Sequence, residues 1–210
     1  YLAFLERIHS AERAREAILC ARDTGCTNIN LDLIFGLPSQ TMEELDQDLT
    51  SALALGTNHL SAYQLTVEPQ TPLAQQVAHG GVTPMTDDQS YEMWMHLRSR
   101  LSDAGYAPYE VSNYARAGFE CRHNLHTWHY GEYLGIGAGA VSRIGNHRWR
   151  RARNLKRYLA GGWIVDEEEW LDDHAIQLEY EMLALRTTQG LSLRDFERRF
   201  GMTFDVRYPG

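Results

Sequence analysis

Two stretches constrain this chain most. Residues 28–38 read NINLDLIFGLP and residues 59–69 read HLSAYQLTVEP. In the first, Ile29, Leu31, Leu33 and Phe35 alternate with Asn30, Asp32 and Ile34 until Gly36 and Pro38 end the run. That is the period of a strand. Between the two lies SQTMEELDQDLTSALALG, residues 39–56, where Thr41 followed by Glu44 forms a capping-box signature. A strand, a capped helix and a second strand closed by proline imply a parallel pair with a covering helix.

The rhythm extends to both sides. Ser10 is the expected N-cap of a helix over 10–24, which Gly25 ends. Residues 70–86 read as irregular, and Thr86 with Gln89 opens a helix over 87–105. YAPYEVSNYA follows as a short strand entering a loop, and EYLGIGAGAVSRIG as a glycine-broken strand. The expected fold class is α/β with a parallel sheet, as a barrel or an open doubly wound sheet. After about residue 145 the character changes. NHRWRRARNLKRYLAGG is basic, and LDDHAIQLEYEMLALRTTQG and LSLRDFERRFG read as two helices of a small helical or winged-helix domain. The expected organisation is a barrel portion over 1–145, a basic linker over 146–165 and the start of a helical domain over 166–210. The chain starts at Tyr1 inside helical sequence and stops just after a helix, so a fragment of a longer protein is expected.

Composition narrows the classes of function. A formal net charge of −8 over 210 residues argues against broad attraction to nucleic acid or anionic membrane. No apolar run approaches the length of a membrane helix. Cys20, Cys26 and Cys121 make no disulfide framework, and a reducing cytoplasm is the expected setting.

Polar groups that interrupt the strands are the candidates for chemistry. Asp32 shares a strand face with Asn30, near where α/β proteins place ligand contacts. It reads as an acceptor for a ribose or amine, or as a structural carboxylate paired to a neighbouring element. Gln64 and Thr66 share a face where a strand enters a long loop, either lining a cleft or facing water. Gly135, Gly137 and Gly139 alternate in GIGAGAVS. No helix opens after them and no acidic residue follows at the dinucleotide-site distance, so they suit the close approach of a flat ligand or another backbone.

ECRHNLHTWHY, residues 120–130, places His123, His126 and His129 at intervals of three. With Cys121 they are zinc-ligand types, but the spacing matches no common zinc pattern. Asn124, Trp128 and Tyr130 instead suggest a flat aromatic ligand beside an imidazole, as haem would be; a surface loop of exposed histidines is the plainer reading. The basic run Arg143, Arg148, Arg150, Arg151, Arg153, Lys156 and Arg157 suits propionates, phosphates, an acidic partner face, or a solvated hinge.

INLDLIFGLPSQT, LSAYQLTVEPQTPLA, CRHNLHTW and YLGIGAGAVS, in this order, resemble the oxygen-independent coproporphyrinogen III oxidase-like branch of the radical S-adenosylmethionine (SAM) enzymes, in particular its haem-chaperone members. The resemblance covers essentially the whole chain. It implies a partial TIM-type barrel, with SAM and a 4Fe–4S iron–sulfur cluster at its open end. It implies SAM contacts at Arg7, Asp32, Thr66 and Val141, and haem contacts at His123, Asn124 and Trp128. The His-Asn-x-x-Tyr-Trp motif of the chaperones reads here His123-Asn124-Leu125-His126-Thr127-Trp128, with Thr127 in place of tyrosine. The family's Cys-x-x-x-Cys-x-x-Cys cluster motif is not in this chain, and the resemblance puts it upstream of Tyr1. The implied function is haem binding and delivery to apo-haemoproteins. Radical coproporphyrinogen oxidation and a non-catalytic α/β interaction domain using the basic run are the alternatives, so catalysis is left open.

Overall fold

A computed structural model describes residues 1–209. The chain forms two compact units, Tyr1–Glu120 and Cys121–Gly210.

In the first unit, α1 (Ala11–Asp23) is capped by Ser10, whose hydroxyl accepts from the Arg13 N–H. The strand β1 (Asn30–Phe35) and the strand β2 (His59–Gln64) pair in parallel, from Asn30↔His59 to Phe35↔Gln64. They are joined by α2 (Met42–Ala54), where Thr41 and Glu44 close the expected capping box. That box satisfies two orphan N–H groups, and such a cap contributes about 1 kcal/mol. Residues 70–86 are not wholly irregular. Thr71 caps α3 (Pro72–Ala78), and Pro72 supplies a first-turn residue whose missing N–H costs nothing there. α4 (Asp87–Asp103) follows, with its Thr86–Gln89 capping box.

The sheet departs from the purely parallel expectation at its far side. YAPYEVSNYA holds two short strands, β3 (Ala107–Pro108) and β4 (Asn113–Ala115), paired antiparallel. β4 also runs antiparallel to β2, giving the order β1-β2-β4-β3. The chain doubles back within residues 109–112, too few for a crossover helix, so the pairing must be antiparallel.

One face of this sheet is the core. Phe35, Leu60, Ala62 and Tyr114 pack with Leu45, Leu49 and Ala52 of α2 and Met93, Leu97 and Leu101 of α4. Leu49, Leu60, Leu97 and Leu101 are 0% exposed, each contributing roughly 1.5–3 kcal/mol by burial. Strand alternation turns Asn30, Asp32, His59 and Ser61 to the other face.

In the second unit, the stretch whose plainer reading was a surface loop holds a short helix, α5 (Arg122–Trp128). The glycine-rich stretch is mostly non-strand, reduced to β5 (Val141–Ile144) with an isolated bridge between Tyr133 and Arg143. Residues 146–165, expected as a linker, carry β6 (His147–Arg151) and α6 (Leu155–Leu159). β6 is the centre of an antiparallel sheet, β5-β6-β7, with β7 (Val165–Trp170) as its second edge. The basic run is therefore not a free anion-binding surface. Arg148 pairs with Glu169 and Glu179, Arg150 and Arg153 with Glu167, and Arg157 with Asp166.

Helices complete the unit: α7 (Asp173–Ala184), α8 (Leu193–Phe200) and α9 (Phe204–Arg207). Tyr130, Tyr180 and Phe196 form their buried centre, with Ile176, Leu183, Phe200 and Phe204 around it. α7 buries only a narrow face: Leu178, Met182 and Leu185 are exposed. Tyr130 and Arg148 both bond Glu179, tying the sheet to α7. Burial, reinforced by the Glu179 carboxylate, pushes the Tyr130 phenol up to about 12, so it remains a donor near neutrality.

Candidate functional site

The polar face of the first sheet is the more developed chemical surface. Asp32 sits midway along β1, exposed, and accepts a hydrogen bond from Asn30 Nδ2 at 2.7 Å. Asn30 Nδ2 lies 3.0 Å from Ser61 Oγ. His59 is 4% exposed, with Nδ1 2.7 Å from Asn30 Oδ1 and Nε2 2.8 Å from the Tyr109 hydroxyl. Glu110 is buried beside them, and its Oε1 accepts from the Ser112 N–H and from Asn113 Nδ2. TIM-type barrels that are merely packed fill this layer with branched aliphatic side chains. A layer of Asn, Asp, His, Ser, Tyr and Glu is instead suited to hold a hydrogen-bonding ligand.

Burial lowers the His59 imidazole below its ordinary value, against the opposing pull of Asp32, Glu110 and Glu120. The unfolded chain therefore binds a proton at higher pH than the folded one does. Its stabilising contribution is present above the unfolded value of about 6.5 and is lost as pH falls through the folded value. Wild-type unfolding midpoints should drop on acidification across this window. His59→Gln should flatten that part of the curve; an unchanged slope would remove His59 as the cause.

The other residues expected to contact SAM are placed less tightly. Arg7 is exposed in the turn before α1, its N–H donating to the Leu2 carbonyl. Thr66 is exposed just beyond β2, one residue past the Leu65 N–H bond to the Phe35 carbonyl. Because β1 and β2 are parallel, Thr66 leaves the sheet at the edge toward which Asp32's strand also runs. Val141 opens β5 in the other unit, partly buried and opposite Arg150.

α5 puts Asn124 and Trp128 one turn apart, on one face. His123 lies on a different side of the same helix and is exposed, and the Thr127 hydroxyl donates to its carbonyl. His126 is committed to the turn: its Nε2 bonds the Glu132 carbonyl. A Cβ on Gly131 would fall 2.3 Å from that ring. Trp128 and His129 line a cavity of about 500 Å³ with Tyr180, Ser192, Arg198 and Arg199. His123 is not among its walls. The Trp128 indole nitrogen is buried with no hydrogen-bond partner among the described residues, and the Arg186 guanidinium lies 4.6 Å from its ring centre. His129 was singled out by sequence reading only as one of three evenly spaced imidazoles of zinc-ligand type, and the two α8 arginines not at all; their only signal was a basic helix end.

The cysteines supply no ligand set for an iron–sulfur cluster. Cys20 is on α1, Cys26 is in the turn after it, and Cys121 caps α5; all three are free. Among the described residues, no three His, Cys, Asp or Glu side chains gather as a metal site. None of the helices described is long and apolar enough to cross a membrane.

Comparison with known proteins supplies the class. In structure the chain is similar to coproporphyrinogen III oxidase (HemN) of Escherichia coli, described as a radical SAM enzyme. The TM-score is 0.78 at 20% identity, covering 98% of this chain and 51% of that one. The fold is thus part of a TIM-type α/β fold. No protein-family model matches the chain. In sequence it is 41% identical to the haem chaperone HemW of Mycobacterium tuberculosis (strain H37Rv) over 91% of this chain and 50% of that protein. The figures for the HemW of Bacillus subtilis are 35%, 97% and 55%, and for that of Escherichia coli 41%, 98% and 54%. The chain spans about half the length of the curated relatives it matches, and over that span it belongs with the HemW-like proteins.

Proposed function

We propose that the chain is part of a haem-binding protein that delivers haem to apo-haemoproteins in a reducing cytoplasm, with SAM seated against the polar sheet face. The observation that carries the haem reading is the α5 cavity. It offers an aromatic wall in Trp128 and Tyr180, with Arg199 and Arg198, the latter also paired with Asp195 at 2.6 Å, as cations for carboxylate groups. A tetrapyrrole carrying propionates needs that combination. The relatives named haem chaperones support the same reading. The residues present suit SAM as well. Asp32 is an exposed acceptor for ribose hydroxyls, Arg7 a cation for the SAM carboxylate, and Thr66 a further lining residue of the same unit. Bound SAM supplies radical chemistry only with a cluster, and this chain's cysteines do not fit one, so no step is assigned to it.

The test is a hemin titration followed by absorbance. The chain should bind one equivalent saturably. Trp128→Ala should weaken binding by roughly tenfold, the scale of one lost aromatic contact. His123→Ala should change the absorbance spectrum if that imidazole meets the iron; a change confined to His129→Ala would transfer the contact to the cavity's own histidine. Equal, non-saturating binding by every folded variant would refute the haem reading. The alternative, coproporphyrinogen oxidation, is favoured by the HemN-like structure alone. Coproporphyrinogen turnover without hemin binding would favour it.

A further inference from the structure

The hydrogen bonds around His59 have a direction, and it can be read from chemistry. Asn30 Nδ2 faces the Asp32 carboxylate at 2.7 Å. A carboxylate only accepts, so the amide nitrogen must be on that side. This fixes Asn30 Oδ1 toward His59, where it meets Nδ1 at 2.7 Å. An amide oxygen also only accepts, so His59 Nδ1 must carry the proton. The imidazole is 4% exposed and burial favours its uncharged form. Its Nε2 is then bare, and the Tyr109 hydroxyl 2.8 Å away must donate to it. The Tyr109 and His59 rings meet edge-on at 5.5 Å, which keeps the hydroxyl in place.

We propose that His59 is a positioning residue for Asp32. It is the centre of a one-way chain in which Tyr109 donates to His59, His59 to Asn30, and Asn30 to Asp32. The Ser61 hydroxyl steadies the middle of the chain, 3.0 Å from Asn30 Nδ2 and 3.2 Å from its Oδ1. The chain occupies Oδ1 of Asp32 and sets the plane of the carboxylate. Its other oxygen is turned to a ligand with a hydroxyl to donate. Every member lies within the Tyr1–Glu120 unit, on two strands and one turn. The side chain that meets the ligand is the exposed end, and the buried ring behind it sets its orientation. This rests on the proposed contact between Asp32 and SAM.

Two measurements on the protein as its own gene encodes it test the chain and the ligand separately. The first is nitrogen-15 NMR of the His59 ring without ligand. The expected result near neutral pH is a protonated Nδ1 and a bare Nε2; the opposite tautomer, or a doubly protonated ring, overturns the chain whatever SAM does. The second is a double-mutant cycle on SAM affinity, by equilibrium dialysis, with Tyr109→Phe and Asp32→Ala. Tyr109→Phe removes one hydroxyl and keeps the buried ring. It should weaken SAM binding severalfold alone and not at all in the Asp32→Ala background, since its effect passes through Asp32. Equal weakening in both backgrounds would show a general structural role and overturn the proposal, as would no weakening in either. His59→Gln, which keeps a donor and an acceptor, should retain more affinity than His59→Leu. If Asp32→Ala alone leaves affinity unchanged, the SAM contact itself is wrong, an outcome distinct from a wrong tautomer.

Discussion

Gly135→Ala should destabilise the Cys121–Gly210 unit by about 3 kcal/mol or more, the upper range for forcing atoms into a packed site. A Cβ at Gly135 would sit 2.2 Å from the Val141 carbonyl oxygen and 2.9 Å from its carbon. Those atoms are backbone, anchored by the β5–β6 pairing, so no side chain can swing aside. The Gly135 N–H also donates to Ser142 Oγ, on a residue that is 0% exposed, so a shift that relieved the clash would break a partly buried bond. Gly137 is the control. Nothing lies within 4 Å of a Cβ there, and the cost comes only from its φ of +121°. Gly137→Ala should therefore cost about 1–2 kcal/mol. Thermal melts of the two variants should separate clearly; equal shifts would mean that the approach of Val141 is not what requires glycine at 135.

Phe196→Ala should cost about 3–5 kcal/mol, the range for deleting a buried aromatic. Phe196 is 0% exposed, with ring contacts to Phe200 at 5.0 Å and to Phe204 at 5.4 Å. It holds α8 and α9 to the Tyr130–Tyr180 centre, so near-ultraviolet dichroism should weaken before helical signal is lost. Leu193→Ala on the same helix should be nearly silent, because Leu193 is 58% exposed. Comparable losses from both would contradict the packing described.

The first unit was legible where period and cap agreed. β1, α2 and β2 follow from alternation at 29–35, the Thr41–Glu44 box and Pro69, signals that need no tertiary context. α3 was missed although Thr71 and Pro72 mark its start, because the nearby glycines and prolines outweighed them. The direction of β4 was not readable: three residues carry no period, and their pairing is decided by the turn before them. The second unit was read less well for one physical reason. Its strands are written in charge. HRWRR and VDEEEW lack an apolar alternation, and each makes sense only as the other's partner. Asp32 stood out as a carboxylate in a strand. The Tyr109–His59–Asn30 chain behind it did not, since it joins residues 29 and 50 positions apart. The α5 segment was singled out for its side chains, but their sorting into cavity wall, turn clamp and exposed imidazole awaited a helix.

The acidic strand β7 has a consequence for company as well as for pairing. It is an edge, with one row of backbone groups already bonded to β6 and the other open to water. Residues 166–169 are all acidic, and all are exposed. Arginines from β6 and beyond quench much of that charge from within the molecule. A second copy approaching edge to edge would bring its own four carboxylates against these, with no arginine left between them. The ladder that satisfies the basic run thus also works as a fence, keeping an open sheet edge from recruiting its own kind.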